Sequence, residues 1–358
     1  KKVINDEYRI YPITQAYLKD EGMEYIDKEN LSDKNVLERL PFGKYEGGKW
    51  GGKYLRAPDI FFTILDKGKG KFVRLGDIAE VKFGIKTGCN EFFYLPSKYF
   101  DIKLDGDYYK LIPKRDGLPN ELKIEKEYLK PVIKSPRECR SIIITEEQIR
   151  KKIFVCSENK EQLRGKEVLN YILWGEDNGF NNRSSVRTRK KWWNFGSRDI
   201  GQALCMMSYD KRFLFIKNEK YYADARLYDI YTKQEVDKLI TSLNSVVTFL
   251  NLELNGRSNL GEGALDFKVY EAEDILIFNP ELISEPLIFD RTVKSIFEEC
   301  GINPNLPIDN QEPDPLPDRK ELDNIIFDEL GLTEEERKEV YRSVCKLVKQ
   351  RLDKAKNV

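Results

Sequence analysis

Strand-like and helix-like stretches follow one another in this chain without a repeating order, and that irregularity limits the architectures open to it. A doubly wound parallel sheet needs strand and crossover helix to alternate in a regular βαβ rhythm, which is missing here. The stretch FVRLGDIAEVKFGIKTGCNEFFYLP, 72–96, alternates through β-branched and aromatic positions and predicts two strands joined through Gly84 to Gly88. FLFIKNEKYYADARLYDIY, 213–231, predicts two or three more, with a turn near Asn218. Around them lie helices. Pro58 suits the first turn of one that places Ile60, Phe61, Ile64 and Leu65 on one side. Lys233 to Leu254 reads as the longest helix of the main body, with Val236, Leu239, Ile240, Leu243, Val246, Val247 and Leu250 facing inward. The expected class is therefore α+β: a mixed β-sheet domain with packed helices, followed by a small helical pair at the C-terminus.

That pair is set off by punctuation. Five prolines and several acids in NPNLPIDNQEPDPLPD forbid a continuing helix or a central strand, so residues 303–318 read as a Pro-rich acidic linker. Beyond it, 319–358 reads as two helices, the second opened by a capping box of Thr333 and Glu336. Val340, Val344, Leu347, Val348 and Leu352 then share one face, and such a stripe must be covered by another surface. A length of 358 residues agrees with two or three domains, residues 1–300 forming the main one.

Composition removes several kinds of chemistry. The chain has no histidine, which excludes His-based triads, HExxH zinc sites and imidazole acid–base catalysis. The six cysteines include no CxxC pair, so they read as reduced core thiols. No run approaches the roughly 18 apolar residues of a membrane span, and the first residues lack the apolar stretch of a signal peptide, so a cytoplasmic protein without membrane contact is expected.

Charge is balanced overall, 61 basic against 61 acidic, but not locally. Arg183 to Arg198 holds six basic residues and no acidic one; Lys44 to Asn90 holds ten against five; Glu298 to Glu339 holds fourteen acidic and four basic. A polyanion responds to such a local patch rather than to the sum. In the cationic island Arg183, Arg187, Arg189, Lys190 and Lys191 accompany Trp192, Trp193 and Phe195, a mixture suited to phosphates and to stacking on bases. Lys82, Lys86, Thr87 and Asn90 surround two glycines in VKFGIKTGCNEFF, where backbone can approach a ligand and side chains can reach phosphate or base edges. In NGRSNLGEG the pair Gly261 and Gly263 lacks the strand and the GK[ST] of a phosphate loop, which leaves Arg257, Ser258 and Asn259 to touch DNA or brace neighbouring loops.

Six phrases in order carry a resemblance: YEGGKWGGKYLRAPDIFFTIL, LGDIAEVKFGIKTGCNEFFYL, YLKPVIKSPRE, YILWGEDNGFNNRSSVRTRKKWWNFG, NGRSNLGEGALDF and ELDNIIFDELGLTEEERKEVY. Together they resemble the region downstream of the catalytic core in γ-class adenine-specific DNA methyltransferases, including type IIG restriction-modification and phage-defence proteins. The resemblance runs from about Tyr45 to the C-terminus. It implies a target recognition domain that grips double-stranded DNA and reads bases around an adenine methylated at N6. Residues 1–44 would then connect to a catalytic domain upstream or on another polypeptide.

The family's adenine-holding Asn/Asp-Pro-Pro-Tyr/Phe tetrapeptide is absent, since Asn279-Pro280-Glu281 and Asn303-Pro304-Asn305 lack the second proline and the aromatic residue. The glycine-rich turn for S-adenosylmethionine is absent too. The chain alone is expected to be catalytically inactive and to bind no cofactor, with S-adenosylmethionine belonging to the parent enzyme. By the family's pattern the KTGCNEFF and RSSVRTRKKWW loops face DNA and NGRSNLGEG packs close to them, while Tyr11, Trp50 and Trp174 are structural. The LGDIAEV phrase also resembles specificity subunits of type I restriction systems, and the acidic C-terminal helices fit an interaction scaffold. Those are the competing expectations.

Overall fold

The computed structural model describes residues 2–4, 9–21, 23–25, 43–45, 51–258 and 263–356. They divide into two compact units, Lys1–Asp66 and Lys67–Val358. In the first, two short antiparallel strand pairs, a helix at Gln15–Glu21 and a π-helical turn at Gly51–Arg56 precede the helix Asp59–Lys67. That helix begins after Pro58, as expected, and buries Ile60, Phe61 and Ile64. Tyr11 stacks on Phe62 at 5.3 Å and leans on Tyr54 at 5.2 Å, in keeping with a structural role; Trp50 lies outside the described residues.

The second unit is α+β, with open sheets and helices packed on them. Its central sheet is antiparallel throughout, in the order Phe215–Lys217, Ala203–Met206, Leu227–Thr232, Ala79–Phe83. Ala203–Met206 is buried at every position, as a strand covered on both faces must be. A second, mixed sheet runs Tyr222–Ala223, Leu129–Ile133, Lys151–Phe154, Tyr94–Leu95.

The two sheets meet where the chain passes Gly84 and Asp224. There Gly84 N donates to Leu227 O at 2.8 Å, Ile85 N to Ala223 O at 2.7 Å and Ala225 N to Ile85 O at 3.1 Å. The two expected strands on either side of Gly84 to Gly88 therefore form but do not pair with one another. Ala79–Phe83 pairs with Leu227–Thr232 in one sheet, while Tyr94–Leu95 pairs with Lys151–Phe154 in the other, and the segment between them bridges the sheets. Three strands do follow Phe213, turned at Asn218, whose side-chain oxygen accepts from Tyr221 N at 3.1 Å.

The long helix expected over 233–254 is two, Val236–Leu243 and Val246–Asn255. Asn244 ends the first, and its amide copies a β-strand by pairing with both backbone groups of Phe215, each at 3.0 Å. Ser245 caps the second. Apolar periodicity continues through both helices, so the pattern alone gave no sign of the break.

The C-terminal helices, Pro317–Glu329 and Glu334–Lys356, dock on this body, and the capping box forms: Thr333 N donates to Glu336 at 2.7 Å and Glu336 N to Thr333 Oγ1 at 3.3 Å. Val340, Val344 and Val348 are fully buried. Arg319, with no exposed surface, donates to Asn244 O and meets Glu299 and Asp323, while Arg351 forks onto Glu253 at 2.6 Å. The acidic charge noticed in the sequence is thus partly spent inside the fold. The Pro-rich segment is strapped down as well: Lys346 holds Asp309 at 2.7 Å, Lys338 holds Glu312 at 2.6 Å, and Leu316 N donates to Glu299 O at 3.0 Å. All six cysteines are buried and free. Among the described residues no helix is long and apolar enough to cross a membrane.

Candidate nucleic-acid interface

An aromatic cluster forms the floor of the basic surface. Phe92 lies at its centre, stacked on Tyr171 at 4.7 Å and against Trp192 at 4.5 Å, with Phe154 and Phe180 around it. Helix Glu167–Asp177 contributes Tyr171 and Trp174. Both tryptophans of the cationic island are anchors: Trp192 Nε1 donates to Glu176 at 2.9 Å and Trp193 Nε1 to Glu158 O at 3.3 Å. Their burial leaves no ring face for a base, so stacking by these two residues is not available. The cluster instead fixes the basic loop to the body.

Two loops clasp one another over this floor. Gly88 has φ +72°, and a Cβ there would meet Arg189 Nη2 at 2.9 Å and Ser185 O at 3.0 Å, so only glycine allows the contact. Ser185 donates to Gly88 O, and Arg183 meets Glu91. Lys98 and Arg183 together hold the Glu91 carboxyl below its ordinary range. Thr87 is 1 % exposed; its hydroxyl donates to Asn90 Oδ1 at 2.7 Å and accepts from Cys89 N at 3.2 Å. It shapes the loop and presents Asn90.

The Ile85–Lys86 segment stands between two clefts. The first, about 530 Å³, is lined by Lys82, Lys86 and Arg198 with Glu80, Asp199 and Tyr231. The second, about 600 Å³, is lined by Lys86, Asn90 and Arg183 together with Lys134, Asp224 and Arg226. Lys86 lies over the Phe83 ring at 3.8 Å. Lys82 is paired with Glu80 at 2.7 Å. At the base of the second cleft Asp224, 5 % exposed, accepts from Tyr94 OH at 2.7 Å and from Lys134 Nζ. Burial and the neighbouring Asp224 charge raise the Tyr94 hydroxyl far above its usual pKa, so it remains a donor. Arg198 Nη2 lies 3.0 Å from Asp229 Oδ2, and burial outweighs this partner to push Asp229 up to about 6.

The structure thus brings Lys82, Lys86, Thr87, Asn90 and Arg183 together. Arg187 and Lys190 are exposed on the adjoining loop. Arg189 is half-buried 6.0 Å over Phe93, with Nη1 lacking a hydrogen-bond partner among the described residues, and Lys191 is turned onto Ser157 O.

The described residues of the NGRSNLGEG loop are engaged by their own neighbours. Arg257 is held 3.1 Å from Glu271, Ser258 is exposed on a strand paired with Leu265–Asp266, and Gly263 O accepts from Arg351 of the last helix. That helix takes up the end of the loop. Asn259 lies outside the described residues.

Lys134 and Arg226 were missed by sequence reasoning. Neither belongs to the basic runs that charge and glycine pick out, and only Lys134 fell within a recognisable phrase. Among the described residues no group of three or more carboxylates or thiols is arranged to hold a metal.

Residues 47–301 match the model of the C-terminal domain of type II methyltransferase M.Eco57I. No curated protein matches. The fold is similar to that in the crystal structure of the type IIG restriction endonuclease BpuSI, with a TM-score of 0.50 and 11 % sequence identity, covering 90 % of this chain and 35 % of that one. The chain therefore spans about a third of the length of that enzyme.

Proposed function

The chain belongs to the family of the type II methyltransferase M.Eco57I C-terminal domain, and from that premise we propose that its Lys86 surface is the DNA-reading face of a target recognition domain. The reading is carried by one observation: the two clefts flanking Ile85–Lys86 combine hydrogen-bond donors and acceptors on a rigid floor. Base edges in the major groove present both donors and acceptors, so a reader needs both. The Asn90 amide and the Lys134–Asp224 pair supply them, held by Tyr94 and by the Thr87 hydroxyl. Exposed Arg187 and Lys190 lie beside the clefts, where charge without fixed geometry suits phosphates, which position a protein on DNA without informing it of sequence.

In this proposal the methyl transfer, to adenine N6, is performed by a catalytic domain elsewhere, which also binds S-adenosylmethionine. This chain contributes the choice of sequence. A labelled duplex titrated with the protein from low to moderate salt tests the DNA reading. Each neutralised phosphate contributes about −0.9 to the slope of log affinity against log salt. Steep binding, weakened by Lys86→Ala, is expected; no binding to any duplex at low salt refutes the proposal. Adenine specificity is tested by mapping modified bases in cells carrying the complete system, where methyl groups confined to cytosine would overturn it.

A further inference from the structure

A third cleft, basic and of about 380 Å³, lies beyond the turn Pro136–Glu138 and belongs to neither of the two described above. Its walls come from three separate segments that are bonded to one another through backbone. Val293 N donates to Arg140 O at 2.7 Å, and Ile296 N to Lys211 O at 2.7 Å. Arg137, Lys211, Arg212 and Lys294 line it against Asp210 and Glu298. Of these two acids, Glu298 is turned to Ser295, accepting from its hydroxyl at 2.7 Å and its amide at 3.3 Å.

None of the four basic side chains has an ion pair or a side-chain hydrogen bond among the described residues. Arg212 is the telling one. It is half-buried, and that burial and the nearby Arg140 charge disfavour its charged form, with only the Cys139 sulfur and no carboxylate acting against them. Holding a guanidinium in such a place costs stability, and an anion entering the cleft would return it. Nothing in the cationic island of the sequence contributes to this cleft.

Its position suggests which anion. Lys134 lines the recognition cleft and Arg137 lines this one, three residues apart and so at most about 11 Å between their Cα atoms. A duplex in the first cleft presents a charge every roughly 1.7 Å of its axis, so its backbone is the polyanion at hand.

We propose that Arg137, Lys211, Arg212 and Lys294 form a second phosphodiester-binding site, which grips the same duplex outside the bases being read. The inference rests on the DNA reading above and adds to it a flanking contact that carries no sequence information.

Lys211 and Lys294 are exposed, so Lys211→Ala with Lys294→Ala tests the site without disturbing packing, and Arg212→Gln tests it from inside. Binding of the intact protein is measured by fluorescence anisotropy on a long duplex and on one trimmed to the recognised sequence, each across a salt series. On the long duplex the double variant should lower the salt slope by about 2, at about 0.9 per lost phosphate contact. On the trimmed duplex it should match wild type, and its methylated motif should be unchanged. Wild-type slope and affinity on the long duplex, with Lys86→Ala still weakened, would overturn this inference and leave the recognition reading standing. Equal losses on both duplexes would overturn it too, by placing these residues at the read bases. If no variant and no wild-type protein binds either duplex, the recognition reading fails with it.

Discussion

Replacing Gly84 with alanine should damage both stability and DNA binding, because this residue lets the two sheets cross beneath Lys86. A Cβ at Gly84 would lie 2.2 Å from Asp224 O, 2.6 Å from Asp224 C and 2.7 Å from Ala223 O. All three are backbone atoms, so no side chain can swing away. Ordinary contact begins near 3.4 Å, so the strands must part by about 1.2 Å. The three hydrogen bonds that stitch the crossing, from Gly84 N, Ile85 N and Ala225 N, stretch with them. Overpacking costs about 1–3 kcal/mol and each of the three weakened hydrogen bonds up to about 1, which sets the loss at about 1–6 kcal/mol.

Asp224 moves with its backbone, and with it Lys134 and the hydroxyl contact of Tyr94. DNA affinity and sequence preference should therefore change even where the variant is fully folded. Urea denaturation gives the first quantity and anisotropy on matched and mismatched duplexes the second. Gly51→Ala is the control, since among the described residues a Cβ there meets nothing within 4 Å, and it should stay within about 0.5 kcal/mol of wild type. If Gly84→Ala unfolds with the wild-type midpoint and binds DNA like wild type, the account of the crossing is wrong.

Three further outcomes are expected. Arg351→Ala removes a buried guanidinium that serves Glu253, Gly263 O and Asp210 O; it should cost about 3–5 kcal/mol in urea melts, and a loss below 1 would mean that the last helix is held by its apolar face alone. Asp229 has its pKa raised to about 6 by burial, so its folded form binds the proton more tightly than the unfolded chain does. Its contribution is full below about pH 4 and is lost as pH rises through 6, by about 3 kcal/mol in all. Wild type should accordingly lose stability relative to Asp229→Asn between pH 4 and 7, and a pH-independent difference between the two proteins would sink this assignment. Thr87→Val keeps the shape but leaves Asn90 and Cys89 N without the hydroxyl, at about 1–2 kcal/mol, whereas Thr87→Ser should restore most of it. Identical melting of the valine variant and wild type would show that the hydroxyl does not hold the loop.

Local pattern determined much of this protein. The helix after Pro58, the three strands after Phe213, the capping box at Thr333 and the buried stripe from Val340 to Val348 were all legible, since each depends on residues within a few positions of one another. So was the family, because its phrases are local as well. The loops around Lys86 and Arg187 could also be picked out, by charge and glycine.

What tertiary structure decided is which of those charges are spent. Arg183 is neutralised by Glu91 and Arg198 by Asp229, while Lys134 is paired with Asp224 from a strand 90 residues away. Composition cannot reveal such partners, because an ion pair needs only that two side chains meet, at any separation along the chain. The same holds for Gly84 and Asn244. Two strands with a turn-like segment between them look like a hairpin until another strand takes their pairing, and two helices in line look like one until a strand edge claims the asparagine between them. Periodicity records which face of an element is buried, but the partner that buries it belongs to the fold as a whole.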